Sequence, residues 1–155
     1  DSARFRTILG HFATGVTVVT GHDSAGPAGL AANSFTSVSL DPPLVLVCMA
    51  RTSTTWPVIR DTGHFAVNIL GEHQEETSRR FGARGGDRFE GVGWSPGKTG
   101  SPILHDAIAY VDCVIEAEHD AGDHVIVVGR VVDLGQPADG GPLLFWRGGY
   151  ARLGP

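Results

Sequence analysis

Cysteine is scarce in this chain. Only Cys48 and Cys113 occur in 155 residues, inside the apolar runs LVLVCMA and YVDCVIEA. Two thiols spaced this way match no zinc motif and supply no disulfide framework. They read as buried small hydrophobes, which favours a reducing cytoplasm. Long hydrophobic runs are missing as well: nothing approaches the roughly 20 apolar residues of a membrane helix, and no signal peptide is visible. Nor is there a surplus of positive charge. A formal net charge of -5 argues against a general nucleic-acid binder, although a few placed donors can still hold a phosphate.

Familiar catalytic signatures are absent too. Gly93-Trp94-Ser95-Pro96-Gly97-Lys98-Thr99 looks like a phosphate loop, but it has three residues between its glycines where a Walker loop has four. Gly100, Ser101 and Pro102 follow, so no helix can begin where that chemistry needs one. No G-x-G-x-x-G follows a strand, so any dinucleotide binds without a Rossmann fold. There is no G-x-S-x-G elbow, and neither cysteine opens a helix that would stabilise its thiolate. His119, Asp120, Asp123 and His124 cluster within six residues, yet Asp and Gly at a hairpin tip are explained by turn geometry, and no metal is assigned.

What is present points to one β-rich domain over residues 1–155. With 41% hydrophobic residues the chain can fill a single core, and its 22 glycines lie scattered between runs of Val, Ile and Thr. Ser2 is expected to cap a short helix carrying Phe5, Ile8, Leu9 and Phe12 on one face, ended by Gly15. VTVVT at 16–20 reads as a strand, HDSAGPAG at 22–29 as a turn, and LAANSFTSVSL as a strand stopped by Asp41-Pro42-Pro43. The unbroken apolar run LVLVCMA at 44–50 suggests a strand buried on both faces. A second helix starts near Trp56-Pro57 and closes at Gly63, HFAVNIL at 64–70 is another strand, and HQEETSRRFGA at 73–83 is helical. Residues 84–102 read as a long loop. Finally AIAYVDCVIEAEH and HVIVVGRVVDL flank a four-residue turn, Asp120–Asp123, and LLFW forms a last short strand. About seven strands and three short helices suggest a barrel more than a parallel sheet.

Two polar stretches interrupt this pattern. Arg51-Thr52-Ser53-Thr54-Thr55 enters a helix with hydroxyls, backbone N–H groups and the positive dipole end together, a setting for a phosphate as well as for a cap. Asn33-Ser34-Phe35-Thr36-Ser37 puts hydrogen-bonding groups in mid-strand, facing either solvent or a site. Together they suggest a cofactor with a phosphate and a polar aromatic ring.

The ordered segments FATGVTVVT, GLAANSFTSVSLDPPLVLVCMARTSTT, HFAVNIL, DRFEGVGW, GDHVIVVGRVVDL and PLLFWRGGY resemble the short-chain flavin reductase family, from about Phe5 to Leu153. These are the reductase components of two-component flavin monooxygenases. The resemblance implies a mainly β, Greek-key-like FMN-binding split barrel and a homodimer. It also implies hydride transfer from NADH or NADPH to FMN or FAD, with reduced flavin passed to a flavin-dependent monooxygenase. Carried over by position, Ala32, Asn33, Ser34, Phe35, Thr36 and Ser37 would line the isoalloxazine and ribityl chain. Ala50, Ser53, Thr54 and Thr55 would hold the phosphate end, with Asn68 on the strand beside them. Arg88 and Phe89 would approach the flavin from the loop. His124, as the residue acting on the reaction, and Arg147, Gly148, Gly149 and Tyr150 would face the nicotinamide. Hydride transfer needs the two rings stacked at near contact and donors near the reduced ring, and no strong general base. An FMN-binding electron-transfer module without nicotinamide activity is the alternative, and a pyridoxamine-phosphate-oxidase-like enzyme a third reading.

Overall fold

The computed structural model describes residues 1–84 and 88–154. Asp87, the first residue of the DRF segment, lies outside them. The chain opens with α1 (Ser2–Leu9), β1 (Thr14–Gly15), β2 (Thr17–Asp23), β3 (Gly26–Ala32), β4 (Thr36–Ser39) and β5 (Leu44–Ala50). Then come α2 (Trp56–Arg60), β6 (His64–Ile69), α3 (Glu75–Gly82), β7 (Trp94–Pro96) and β8 (Pro102–Leu104). The long hairpin β9 (Ala109–Ala121) and β10 (His124–Gly135) precedes the short one, β11 (Leu144–Trp146) and β12 (Gly149–Ala151).

Seven strands form one antiparallel sheet in the order β3-β2-β6-β9-β10-β5-β4. The chain therefore crosses from one edge to the other between β3 and β4, and back again between β5 and β6. Those crossings carry the polar stretches 33–35 and 51–55. β3 and β4 remain the sheet's edges, so it curls without closing. A three-stranded sheet, β1-β11-β12, and the pair β7-β8 complete the fold.

Two apolar clusters sit on the two faces of β2. Val19, Met49, Trp56, Phe65 and Val127 belong to one, and Val18, Leu70, Phe81, Phe89 and Leu104 to the other. Alternate side chains of a strand point to opposite faces, so β2 must be apolar at successive positions to serve both. The doubly buried strand is thus VTVVT. In LVLVCMA only Val45, Val47 and Met49 are buried while Leu44, Leu46, Cys48 and Ala50 are half-buried, contrary to the sequence expectation, because β5 lies next to the edge and has one face covered. Packing leaves little slack: a Cβ on Gly129 would lie 2.5 Å from Phe65 Cζ, so a side chain there would displace the ring.

Several boundaries also differ. Asp1, not Ser2, caps α1, its carboxylate accepting from Arg4 N at 2.7 Å, and the helix stops at Gly10 instead of Gly15. No α1 residue is buried; Phe5 is 65% exposed and Phe12 78%. The segment read as a turn over 22–29 is mostly hairpin, with only Ser24 and Ala25 between β2 and β3. LAANSFTSVSL breaks after Ala32, and residues 84–102 contain β7. The β9–β10 loop is two residues, Gly122 and Asp123, since Ala121 already pairs with His124; Gly122 supplies the positive φ of +66° such a tight turn needs.

Cys113 is fully buried, and burial, with Asp112 as a smaller cause, pushes its thiol up to about 12. Only the thiolate reacts, so Cys113 is expected to stay unmodified by a thiol reagent at pH 8 until denaturant unfolds the chain. The folded value lies above the unfolded 9.0, so this contribution to stability is complete below about pH 9 and is lost as pH rises toward 12. Labelling of Cys113 in native protein, mapped by mass spectrometry, would contradict this placement.

Candidate cofactor cleft

The RGGY segment is a tight hairpin. Arg147 and Gly148 form its two-residue loop with φ of +50° and +77°, the paired left-handed geometry that matches strand twist. Arg147 is the only non-glycine with positive φ among the described residues, a conformation that costs about 1–2 kcal/mol and marks a position held by its surroundings. The hold comes from the end of α1: Gly10 O accepts from Arg147 N at 2.8 Å, and His11 O accepts from Trp146 Nε1 at 3.0 Å. The Arg147 guanidinium carbon lies 5.4 Å from the Trp146 ring centre.

Between this hairpin and α1 runs a cleft of about 390 Å³ whose walls include Phe5, Leu9, Phe12, Asn33, Phe145 and Arg147. A second hollow of about 140 Å³ adjoins it, lined by Ala31, Ala32, Asn33, Ser78, Phe145 and Tyr150 among others. Asn33 and Phe145 are common to both. The structure thus brings Ala32 and Asn33 together with Arg147, Gly148 and Tyr150, residues more than a hundred positions away. Gly149 follows directly in β12, paired with Trp146.

Ser34 shows how the segment is anchored. Its Oγ accepts from Cys48 N at 2.9 Å and donates to Cys48 O at 3.1 Å, stapling the bend after β3 onto β5. That use leaves Ser34 a positioning role, with Asn33 exposed beside it. Phe35 packs on the first core cluster, and Thr36 and Ser37 form the exposed start of the edge strand β4.

At the other crossing, Ser53 Oγ accepts from Trp56 N at 3.1 Å, while Thr55, at the N-cap of α2, makes no side-chain cap bond. Thr55 Oγ1 instead accepts from Arg88 Nη1 at 3.4 Å, and the same nitrogen donates to Gly29 O at 2.8 Å. A guanidinium and the hydroxyl it donates to, with Thr54 exposed next to them, form a donor set suited to a phosphate. Arg51 is not part of it, because its guanidinium is tied to Asp120 Oδ1 at 2.7 Å and Gly122 O at 2.9 Å.

Ala50 pairs with His124 across β5 and β10, so the 50–55 segment and the hairpin tip share one corner. The His124 side chain is 45% exposed, with Nδ1 2.8 Å from Asp123 Oδ1. That bond, then the His124 charge and more weakly Arg6 of α1, hold the Asp123 carboxyl below its usual range. The ionised carboxylate only accepts, so Nδ1 carries the proton and Nε2 of the neutral ring is left as an acceptor.

Two expected residues, Asn68 and Phe89, are buried in the core. Asn68 is fully buried, its Nδ2 donating to Val18 O at 3.1 Å and Thr20 Oγ1 and Pro102 O at 3.3 Å, while Oδ1 accepts from Leu104 N at 2.9 Å. It binds β8 to the sheet. Phe89 is buried against Phe81 at 4.9 Å and Trp94 at 6.2 Å. Arg88 reaches Gly29 and Thr55 while its neighbour Phe89 anchors the loop in the core. In turn, sequence reading missed Ser78 and the end of α1, which carry no motif and reach the cleft only through packing.

A curled antiparallel sheet, with a partly apolar hollow between the end of β3 and the 147–150 hairpin, defines a mainly β protein with a cleft at one sheet edge. The model of the flavin reductase like domain matches residues 9–154, and the chain belongs to that family. It is 47% identical to the reductase subunit HsaB of a flavin-dependent monooxygenase from Rhodococcus jostii, over 100% of this chain and 80% of the relative. Among solved structures it superposes on a nitrilotriacetate monooxygenase component B homolog from Mycobacterium thermoresistibile with a TM-score of 0.97 and 44% identity, covering 100% of this chain and 88% of that one. The Streptomyces globisporus NADH:FAD oxidoreductase SgcE6, solved in complex with NAD and FAD fragments, gives 0.94 and 39%, covering 100% and 94%. The fold is the mainly β split barrel of these neighbours.

Proposed function

We propose that the chain, as one domain over residues 1–155, is an NAD(P)H-dependent flavin reductase that delivers reduced FMN or FAD to a partner flavin-dependent monooxygenase. The observation that carries this reading is the meeting of Ala32–Asn33 with the Arg147–Tyr150 hairpin, on the strand whose Gly29 O accepts from Arg88. When bound, the flavin accepts hydride from the nicotinamide, and the chain orients both rings. Asn33 offers amide donors and an acceptor to one ring at the junction of the two hollows. Arg88 and Thr55 hold the phosphate end, with Ala50 and Thr54 at their side. His124, its Nδ1–H held by Asp123, presents Nε2 of the neutral ring as an acceptor for a carboxamide N–H. That orientation persists above the carboxylate range and is lost as pH falls far enough to protonate Asp123. The apolar side chains left outside the core on α1, with Val38 and Leu40 by the β4 edge (Leu40 is 96% exposed), support a homodimer with the cleft near the boundary. No helix among the described residues is long and apolar enough to cross a membrane, and the two free thiols support a cytoplasmic setting.

Purified protein is expected to oxidise NADH or NADPH when FMN, FAD or riboflavin is supplied. Folded protein that binds flavin and oxidises neither nicotinamide would instead be an FMN-binding electron-transfer module. His124→Ala is expected to raise KM for the nicotinamide or slow flavin reduction in stopped flow, leaving flavin affinity within roughly threefold, or under about 1 kcal/mol. An unchanged reduction rate at every nicotinamide concentration would remove His124 from the site. A monomer by light scattering that still reduces flavin would remove the dimer.

A further inference from the structure

Tyr150 is held from three directions. Its Oη lies 2.8 Å from the Oγ of Ser78, a buried residue on the inward side of α3. The Arg79 guanidinium carbon stands 4.8 Å from its ring centre, itself steadied by Glu75 Oε2 at 3.1 Å from Nε. Phe145 meets the ring edge-on at 5.3 Å. Ser78 and Tyr150 both line the hollow, together with Ala31, Ala32 and Asn33.

The hydroxyl arithmetic is informative. Ser78 and Tyr150 bring two O–H donors, and their mutual bond uses one. Among the described residues no protein acceptor takes the other, so it is left to face the hollow. The apolar parts of its lining, Val16 and the two alanines, offer nothing to a hydroxyl. A donor kept beside such walls is costly unless a ligand atom accepts from it.

We propose that Ser78 is a positioning residue of the cofactor site, fixing the Tyr150 phenol so that the spare O–H donates to a ring-nitrogen or carbonyl acceptor of the heteroaromatic ring seated against Ala32 and Asn33. This rests on the reading that the hollow takes the flavin ring. Tyr150 lies on a three-residue strand just beyond a two-residue loop, so the backbone alone gives the phenol little orientation. Ser78, on a helix packed against β3, supplies it.

The test is flavin binding, which does not depend on turnover. Kd for FMN and FAD is measured by fluorescence quenching, with the visible band of bound flavin and a thermal melt recorded for each variant. Ser78→Ala and Tyr150→Phe are each expected to weaken the preferred flavin 5- to 20-fold and to shift its band. The double variant should be no worse than the weaker single one, and Ser78→Thr should stay within threefold of wild type. Additive losses, or a Ser78→Ala protein whose melt drops while Kd and band are unchanged, would overturn the assignment. Wild-type protein that binds flavin without oxidising NAD(P)H sinks the reductase reading and leaves this test intact.

Discussion

Asn68→Ala is expected to lower the free energy of unfolding by about 2–4 kcal/mol, the largest stability effect among the residues first placed near the cofactor. The side chain is fully buried and spends its amide on Val18 O, Thr20 Oγ1 and Pro102 O, and its carbonyl on Leu104 N. Truncation leaves the Leu104 N–H unpaired in the core and opens a void between β2, β6 and β8. An unmet buried donor costs about 1–3 kcal/mol by itself, and the void adds to it. Flavin affinity, measured at a temperature where the variant is folded, should change little. Urea unfolding checks the first part and fluorescence titration the second. A strong loss of flavin with an unchanged unfolding midpoint would return Asn68 to the cleft.

Thr55→Ala and Ser53→Ala should separate two roles that the run of hydroxyls leaves merged. Ser53 caps α2 through Trp56 N, so its loss should cost about 0.5–2 kcal/mol of stability. Thr55 makes no cap bond and stands by Arg88, so its loss should weaken flavin by about 1–3 kcal/mol, the range for removing one partner of a hydrogen bond. That is roughly 5- to 150-fold in Kd at little cost in melting temperature. Riboflavin, which lacks the phosphate, should bind both variants as it binds wild type. Equal losses for riboflavin and FMN in Thr55→Ala would place the phosphate elsewhere.

Much of the architecture was legible before any coordinates. Alternation and apolar runs marked nearly every long strand, and Gly or Pro marked most ends. The errors share one cause, that period and composition describe a strand without its neighbours. LVLVCMA reads as doubly buried because it is uniformly apolar, yet its place beside the edge strand leaves one face half-covered. VTVVT, with two threonines, is the strand closed on both faces, since Thr17 Oγ1 donates to Ala32 O at 2.7 Å and Thr20 Oγ1 to Pro102 O at 2.6 Å. A hydroxyl that finds a carbonyl is no obstacle to burial, but only tertiary packing reveals whether one is there.

The same division runs through the site. By itself the sequence determined the β class and singled out the polar stretches 33–37 and 51–55, because those residues break local patterning, while the family resemblance added 124 and 147–150. Tertiary structure alone decided which of their side chains are available. Ser34 and Ser53 are spent on backbone groups, Asn68 and Phe89 on the core, and Arg51 on the hairpin tip. Asn33, Thr55, Arg88, His124 and Tyr150 are the side chains left to the proposed cofactor site. Ser78 joins them from a helix with no motif at all. Hydrogen-bonding capacity is a property of the residue, whereas its use depends on partners that chain crossings and strand register bring within 3 Å, and those partners lie too far along the chain for any local pattern to name.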